Sequence, residues 1–379
     1  MARSGGFLKG GFGALLLGWM AASSVLASAQ VSSSQIDAIF ASLKSGNAPG
    51  AAVLVVRNGR PVFRRGYGVT DLRTMRPIDP RTNFRLASFT KQFTAACIML
   101  LAHDRKLHYD DHLTDFFAEF PAYGKSITVR NLLNHTSGLE DYGELLMKQY
   151  PDKPPEKVPQ ILDAGVLKLL EQQASGKFAP GSKWEYSNSG YAVLAMIVEK
   201  ISGKSFGQFL QERIFTPLKM KNTLAYEKDK NEVTHRAFGH SKKGDGWQQT
   251  DQSPTSAVLG DGGIYTSLDD LSKWDRALRE HTLLSAAEMQ PALTPVQLSG
   301  DQPVMTFDGP NQTYGFGWFL DPYRGHQRMS HDGGTIGFRT TIQRFPDDKL
   351  TIIVLANRTD LDPEALALKV ADLYLTTKP

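Results

Sequence analysis

The stretch Leu86–Leu101, L-A-S-F-T-K-Q-F-T-A-A-C-I-M-L-L, limits the possible folds of this chain more than any other. Phe89, Phe93, Ala96, Cys97, Leu100 and Leu101 recur at three- and four-residue steps, the period of an α-helix. Between residues 94 and 102 only Thr94 interrupts a surface that is apolar all round. A helix without a polar face has to be enclosed, so the rest of the chain must be built around it. Arg105 and Lys106 suit its C-terminal end. At its head stand Ser88 and Lys91, one turn apart on the same face. A serine at the positive end of the helix dipole with a lysine beneath it is a geometry that can activate a hydroxyl. An N-cap serine beside a snorkelling lysine reads the same way, so the pair gains meaning only from its surroundings.

The 379 residues are 41% hydrophobic and 22% charged, the balance of a soluble globular protein. Lys and Arg total 43 against 39 Asp and Glu, a formal charge of +4, and no basic run is present. That argues against a nucleic-acid partner. Residues 1–29 read as a secretory signal peptide. Arg3 and Lys9 form its basic region, Gly13 to Leu26 its apolar core, and Ala27-Ser28-Ala29 its cleavage site. Cleavage after Ala29 makes the protein periplasmic or secreted, with no stable membrane span afterwards. The apolar run is short for an uncleaved anchor. Cys97 is the single cysteine, so no internal disulfide can form.

Residues 30–379 read as one α+β domain. A short helix is expected near residues 34–44. A hairpin follows, in which two β-rich runs between Ala51 and Gly68 flank Asn58-Gly59. Helices are expected over Ile127–Leu139, with Thr128 as N-cap, and over Val166–Ala174, Tyr191–Ile201, Phe206–Ile214 and Leu268–Arg279. Residues 226–252 are polar and read as an exposed loop. Four strands are expected at Tyr314–Leu320, Gln327–His331, Phe338–Phe345 and Leu350–Ala356, and a closing helix at Pro363–Leu375. A lone hairpin cannot bury its face. The economical solution is one antiparallel sheet of five to six strands, flanked by the N- and C-terminal helices. The sheet part is then 34–85 with 286–379, and residues 86–285 form a mainly helical insertion. The cleft between the two is the expected site.

Acyl transfer needs a nucleophile, a base within reach and donors for the developing oxyanion. Ser88 can supply the first, and Lys91, if buried, the second. W-E-Y-S-N-S-G-Y adds Tyr186, a second proton carrier, and Asn188, which offers both a donor and an acceptor to an amide. R-M-S-H-D-G-G-T adds His331, Gly333 and Gly334, where adjacent glycines let a substrate approach the backbone. Each element alone has an ordinary structural reading. Yet Ser88-x-x-Lys91, Tyr186-x-Asn188 and His331-x-Gly333 are each the only occurrence of their pattern in the chain.

These elements, in this order, resemble the serine β-lactamase and penicillin-binding protein superfamily. The branch is that of class C β-lactamases, D-Ala-D-Ala carboxypeptidases, D-aminopeptidases and related esterases. The resemblance runs from Ile36 to Leu375. It includes F-R-L-A-S-F-T-K-Q-F-T-A, L-L-N-H-T-S-G-L, F-A-P-G-S-K-W-E-Y-S-N-S-G-Y and G-D-G-G-I-Y-T-S-L-D-D-L. Where relatives carry S-x-x-K, S-D-N and K-T-G, this chain has S-F-T-K, Y-S-N and H-D-G. The resemblance implies that Ser88 forms an acyl-enzyme, that Lys91 and Tyr186 share the proton traffic, and that Asn188 holds the substrate amide. It implies an oxyanion hole made by the N–H groups of Ser88 and Gly334. His331 stands where the relatives have lysine. As an imidazolium it would meet a substrate carboxylate, and His-x-Gly resembles the peptidase and esterase side of the branch. No metal and no cofactor are implied. His135 in L-L-N-H-T-S-G-L reads as scaffold, and His108 and His112 flank a turn-like segment that lacks a third metal ligand.

The expected activity is an exported serine hydrolase that cleaves an amide or ester through an acyl-serine. A D-amino-acid peptide, possibly cell-wall derived, is the first substrate expected. A carboxylesterase or β-lactamase of the same family is the alternative. A catalytically silent peptidoglycan-binding domain is the reading from another class, against which stand Ser88, Lys91 and Tyr186.

Overall fold

The computed structural model describes residues 31–376, together with Gly6. The basic and apolar leader and its Ala29 cleavage site lie outside the described residues. Among the described residues no helix is long and apolar enough to cross a membrane.

The N-terminal hairpin forms where Asn58 and Gly59 both take positive φ, 52° and 73°. That is the turn whose twist matches two antiparallel strands. Its strands, Ala51–Arg57 and Arg60–Tyr67, are completed by the far end of the chain. Ala51–Arg57 pairs with Leu350–Ala356 in antiparallel register, from Ala51 opposite Ala356 to Arg57 opposite Leu350. Beyond it follow Phe338–Phe345, His326–Thr335, Phe319–Tyr323 and Thr313–Tyr314. The sheet therefore has seven strands, where the sequence suggests five to six. The expected strand Tyr314–Leu320 breaks at Gly315–Trp318, where Gly317 adopts φ 78° against the carbonyl of Lys91.

Strand side chains alternate between faces, and here both faces are covered. Val53, Val55, Ile352 and Val354 pack against Ile36 and Phe40 of the first helical segment and Ala367 and Val370 of the last helix. Ala52, Leu54, Ile353 and Leu355 face the helical part. Double burial explains why A-A-V-L-V-V and L-T-I-I-V-L-A read as unbroken apolar runs. The terminal helices, Ser33–Ile39 and Pro363–Ala371, start at the capping residues Ser32 and Asp362.

The apolar helix spans Lys91–His103 and is buried from Lys91 to Leu101. It packs against Asn188–Ser202, a second buried helix, which ends at Gly203 with φ 68°. Some elements were hidden from the sequence reading. A small sheet joins Phe84–Arg85, Ile264–Thr266 and Leu224–Ala225. A hairpin, His240–Lys243 with Gly246–Gln249, occupies part of the expected loop 226–252. The segment expected as helix over Ile127–Leu139 is helical only over Val129–Leu133, although Thr128 caps it as expected. Short helical turns at Ala286–Met289 and Gln290–Leu293 carry helical character past residue 285.

Candidate active site

Ser88 sits in a tight 3₁₀ turn, Ala87–Thr90, that runs directly into the helix Lys91–His103. In a 3₁₀ turn, side chains three apart eclipse one another. That places Lys91 on Ser88, and Lys91 Nζ donates to Ser88 Oγ at 3.1 Å. Between Thr82 and Leu101 every residue is buried except Ser88. Ala87, just before it, takes φ 51°. This conformation costs a side chain with a Cβ roughly 1–2 kcal/mol, and such strain is characteristic of functional turns. The turn is held from both sides. Leu86 N–H donates to Ile264 O (2.9 Å), and Leu86 O accepts from Thr340 Oγ1 of the large sheet (2.7 Å).

Lys91 is wholly buried, and all three of its ammonium hydrogens have acceptors. Besides Ser88 Oγ it donates to Asn188 Oδ1 at 2.8 Å and to the Asp261 carbonyl at 3.0 Å. Its Nζ lies 4.8 Å from the ring centre of Tyr186 and 5.4 Å from that of Tyr191. Burial brings its pKa down to about 8, with Asp261 and Asp141 opposing the fall. Asn188 opens the helix Asn188–Ser202, whose N-cap is Ser187. The apolar pattern from Tyr191 onward begins one turn later than the helix itself.

Tyr186 precedes that cap. Its surface is only partly exposed, and burial holds the phenol well above its ordinary value, partly offset by the Ser88 hydroxyl. Its ring stacks on Phe319, 6.4 Å between centres at an interplanar angle of 5°, and lies 6.2 Å from His331.

The strand His326–Thr335 brings the third element. Gly333 and Gly334 lie within this strand rather than in a turn. A Cβ on Gly333 would come within 2.0 Å of the Leu86 carbonyl and 2.3 Å of Thr340 Oγ1. The space beside Gly333 therefore belongs to the serine turn and not to a substrate, which corrects the expectation for that residue. Gly334 is exposed and lines the same cavity as Ser88.

His331 departs from expectation in its charge. It is buried, its Nδ1 donates to the carbonyl of Asp332 at 2.7 Å, and its Nε2 accepts from the Tyr314 hydroxyl at 3.0 Å. Burial and the nearby Lys91 ammonium lower its pKa to about 3. These partners and this burial favour the neutral imidazole over the imidazolium expected to hold a substrate carboxylate. Burial, which the residue letter does not carry, decides this.

The cavity at Ser88 has a volume of about 270 Å³. Ser88, Asn188, Gly334 and Thr335 line it, together with Arg85, Asp141, Thr255 and Asp261. The last four were not singled out from the sequence. Asp261 sits in G-D-G-G, where small neighbours let the main chain approach the serine helix. Gly260 O accepts from Thr94 Oγ1 (2.6 Å), and Gly262 O accepts from Arg85 Nε (3.2 Å). The Asp261 carboxylate accepts from Tyr142 O–H at 2.7 Å, and burial raises its pKa. An acid between glycines was the available signal. The segment around His108 and His112 is a structural turn: Asp111 and Asp115 accept from the N–H groups of His108 and His112, each at 2.7 Å.

The comparisons with known proteins bear on the family and the fold. The family described as Beta-lactamase matches residues 36–375. Penicillin-binding protein 4* of Bacillus subtilis (strain 168) is 32% identical over 358 residues, covering 91% of this chain and 76% of that protein. A D-aminopeptidase of Brucella anthropi is 30% identical over 322 residues, covering 82% of this chain; the chain spans 56% of that protein's length. Among solved structures, the D-amino acid amidase of Ochrobactrum anthropi SV3 superposes with a TM-score of 0.75 at 23% identity, over 90% of this chain and 96% of that one. A match along nearly the whole fold, with Lys91 set between the Tyr186 ring and a serine that opens on a cavity, has one reading: the chain belongs to the β-lactamase family and is a serine hydrolase of that family.

Proposed function

We propose that this protein is an exported hydrolase of D-amino-acid peptides or amides, acting in the periplasm or outside the cell through an acyl-Ser88 intermediate. The observation that carries this reading is the contact of Ser88 Oγ with Lys91 Nζ, itself joined to Asn188, at the wall of a polar cavity. Ser88 Oγ attacks the substrate carbonyl carbon, and its proton passes to the Lys91–Tyr186 pair. The departing amine takes that proton as the carbon–nitrogen bond breaks. Water then attacks the acyl ester and regenerates the hydroxyl. Asn188 holds the substrate amide. The N–H of Ser88 opens a helical turn, where amide hydrogens lack intrahelical acceptors. With the N–H of Gly334 it would meet the oxyanion.

The order of the two pKa values supports Lys91 as the acylation base. At about 8, roughly one lysine in ten is a free amine at pH 7, whereas burial keeps Tyr186 a neutral phenol that can only relay a proton. Arg85, Asp141, Asp261 and Thr255 in the cavity wall favour a polar, peptide-like substrate over a lipophilic ester. The penicillin-binding and D-aminopeptidase relatives point the same way, and a cell-wall peptide is the first candidate. With His331 neutral, a free substrate carboxylate no longer has the partner the sequence offered it. The reading therefore includes D-aminoacyl amides as well as D-Ala-D-Ala peptides.

The test is intact mass of the chain after exposure to a fluorophosphonate, followed by turnover of D-aminoacyl amides, D-Ala-D-Ala peptides and short acyl esters. A single adduct at Ser88, lost in Ser88→Ala, with D-amides or D-peptides cleaved faster than esters, is the expected result. Labelling that persists in Ser88→Ala ends the nucleophile assignment. Ester turnover far above that of every D-amino-acid substrate replaces the peptidase reading by the esterase one.

A further inference from the structure

We propose that His135 is the positioning residue for Tyr186, and that its neutral imidazole fixes the phenol against Ser88 and Lys91 by holding the main chain on both sides of it. The inference rests on the reading in which Ser88 is acylated with Tyr186 in the proton path. The amide hydrogens that flank Tyr186 both go to this one residue. Glu185 N–H donates to the His135 carbonyl at 3.0 Å, and Ser187 N–H donates to His135 Nδ1 at 3.1 Å. The imidazole also packs on the Tyr186 ring itself, 4.3 Å between centres and 36° between planes. Tyr314 and Tyr191 close the other sides at 4.5 Å and 5.1 Å. Tyr186 is thus gripped by its ring and by the N–H groups of the residues on both sides of it.

The grip carries costs that packing alone would not justify. His135 adopts φ 64°, a left-handed conformation that glycine or asparagine takes more easily. Its Nε2 is buried without a hydrogen-bond partner among the described residues, an expense a hydrocarbon side chain would avoid. The left-handed backbone turns the carbonyl and the side chain of one residue toward the same segment. Because Nδ1 accepts a hydrogen bond, the single ring proton resides on Nε2. A second proton on Nδ1 would face the Ser187 N–H with another donor. The charged or titratable groups acting on the ring are Lys91 and His331, with Tyr186, Tyr191 and Tyr314 in contact. Burial, Lys91 and His331 all keep the imidazole neutral. The tyrosine is held just past a helix cap, at Ser187, so a small rotation of the segment would carry the phenol away from Ser88. Displacements of about an ångström cost on the order of a hundredfold in rate.

The experiment compares His135→Asn, His135→Gly and His135→Phe with wild type and with Ser88→Ala. Asparagine and glycine both suit the left-handed backbone, but only asparagine can offer an oxygen to the Ser187 N–H. Phenylalanine fills the space without an acceptor. Concentrations of folded protein are set by circular dichroism and thermal melting. The rate of fluorophosphonate acylation and the kcat and KM for a short acyl ester are then measured between about pH 6 and 10. The expected result is that His135→Gly and His135→Phe acylate about a hundredfold more slowly. Their KM should be nearly unchanged and the pH limb of acylation displaced, while His135→Asn recovers most of the rate. If glycine or phenylalanine variants prove unfolded, the asparagine variant decides. Near-wild-type rate and pH profile sustain the proposal, and a loss as large as that expected for the others overturns it. Folded glycine or phenylalanine variants that acylate at the wild-type rate with an unshifted pH profile also overturn it. Failure of the underlying reading is distinguishable, because wild type would then escape labelling at Ser88 altogether.

Discussion

A lysine ammonium shut away from water gives up its proton more readily, and Lys91 is closed in by Ser88, Asn188, Asp261, Tyr186 and Tyr191. Acylation that needs the free amine rises as pH passes through the depressed value. Fluorophosphonate inactivation should therefore climb with a limb near pH 8. Asp261 opposes the depression, so Asp261→Asn should move that limb to lower pH. A limb that stays in place would belong to a different group. Lys91→Ala and Tyr186→Phe should each slow acylation by at least roughly a hundredfold, the scale of general acid–base catalysis, as read from the same assay. His331 titrates far below this range. A carboxylate-bearing substrate and a neutral ester should then give parallel pH profiles of kcat/KM between about pH 5 and 9, with no limb from this histidine. A limb peculiar to the carboxylate substrate would restore the imidazolium. At this scale the sequence showed that Ser88 and Lys91 meet, because spacing within a turn is local, while Tyr186 and Asn188 joined them only through the family resemblance. It did not show the protonation state of His331 or the tautomer of His135, which depend on neighbours far along the chain.

Elements were legible in proportion to their length and punctuation. Asn58-Gly59 marked the hairpin, and Thr128 marked a helix start, because turn and cap chemistry acts over three or four residues. Phe84–Arg85 and Leu224–Ala225 are too short to show a period of two, and their shared partner Ile264–Thr266 lies distant in sequence. The expected strand Gln327–His331 stopped short of Gly333-Gly334 because adjacent glycines usually punctuate, whereas here the strand runs through them. Asn357, just past the strand Leu350–Ala356, fastens elements that the sequence leaves unrelated. Its Oδ1 accepts from Gly50 N–H at 2.8 Å, and its Nδ2 donates to the carbonyls of Val69, Thr70 and Phe238 at 3.0–3.2 Å. Asn357→Ala strips partners from several buried groups and should lower unfolding free energy by about 2–4 kcal/mol. Asp362→Ala removes only the exposed cap of the last helix and should cost about 1 kcal/mol. Urea unfolding of both variants checks the contrast. Equal midpoints would mean that Asn357 is not a fastening point.

The molecule as a whole is two layers meeting at a line, and Gly333 sits on that line. One face of the large sheet is sealed by the terminal helices, and the other meets the part that carries Ser88 and Lys91. The close approach is possible because the strand His326–Thr335 has no side chain where Leu86 passes. Thr340, opposite Gly333 on the neighbouring strand, donates to the same Leu86 carbonyl. The residue after Leu86 is the strained Ala87, and the next is the nucleophile. Any widening of this seam therefore displaces Ser88 from the wall that carries Gly334. Gly333→Ala should lower the melting temperature and slow acylation by at least about a hundredfold, although alanine is chemically silent. Gly334→Ala is the matched control. Its Cβ would meet nothing nearer than Arg339 Nη1 at 3.7 Å, an ordinary contact, so the fold should be kept. Its effect is confined to the cavity, where added bulk raises KM for the substrate. Melting curves, acylation rates and KM on the two variants separate the seam from the cavity. If Gly333→Ala melted and acylated like Gly334→Ala, the two layers could part without moving the serine, and the register of Leu86 against the sheet would lose its role in placing the nucleophile.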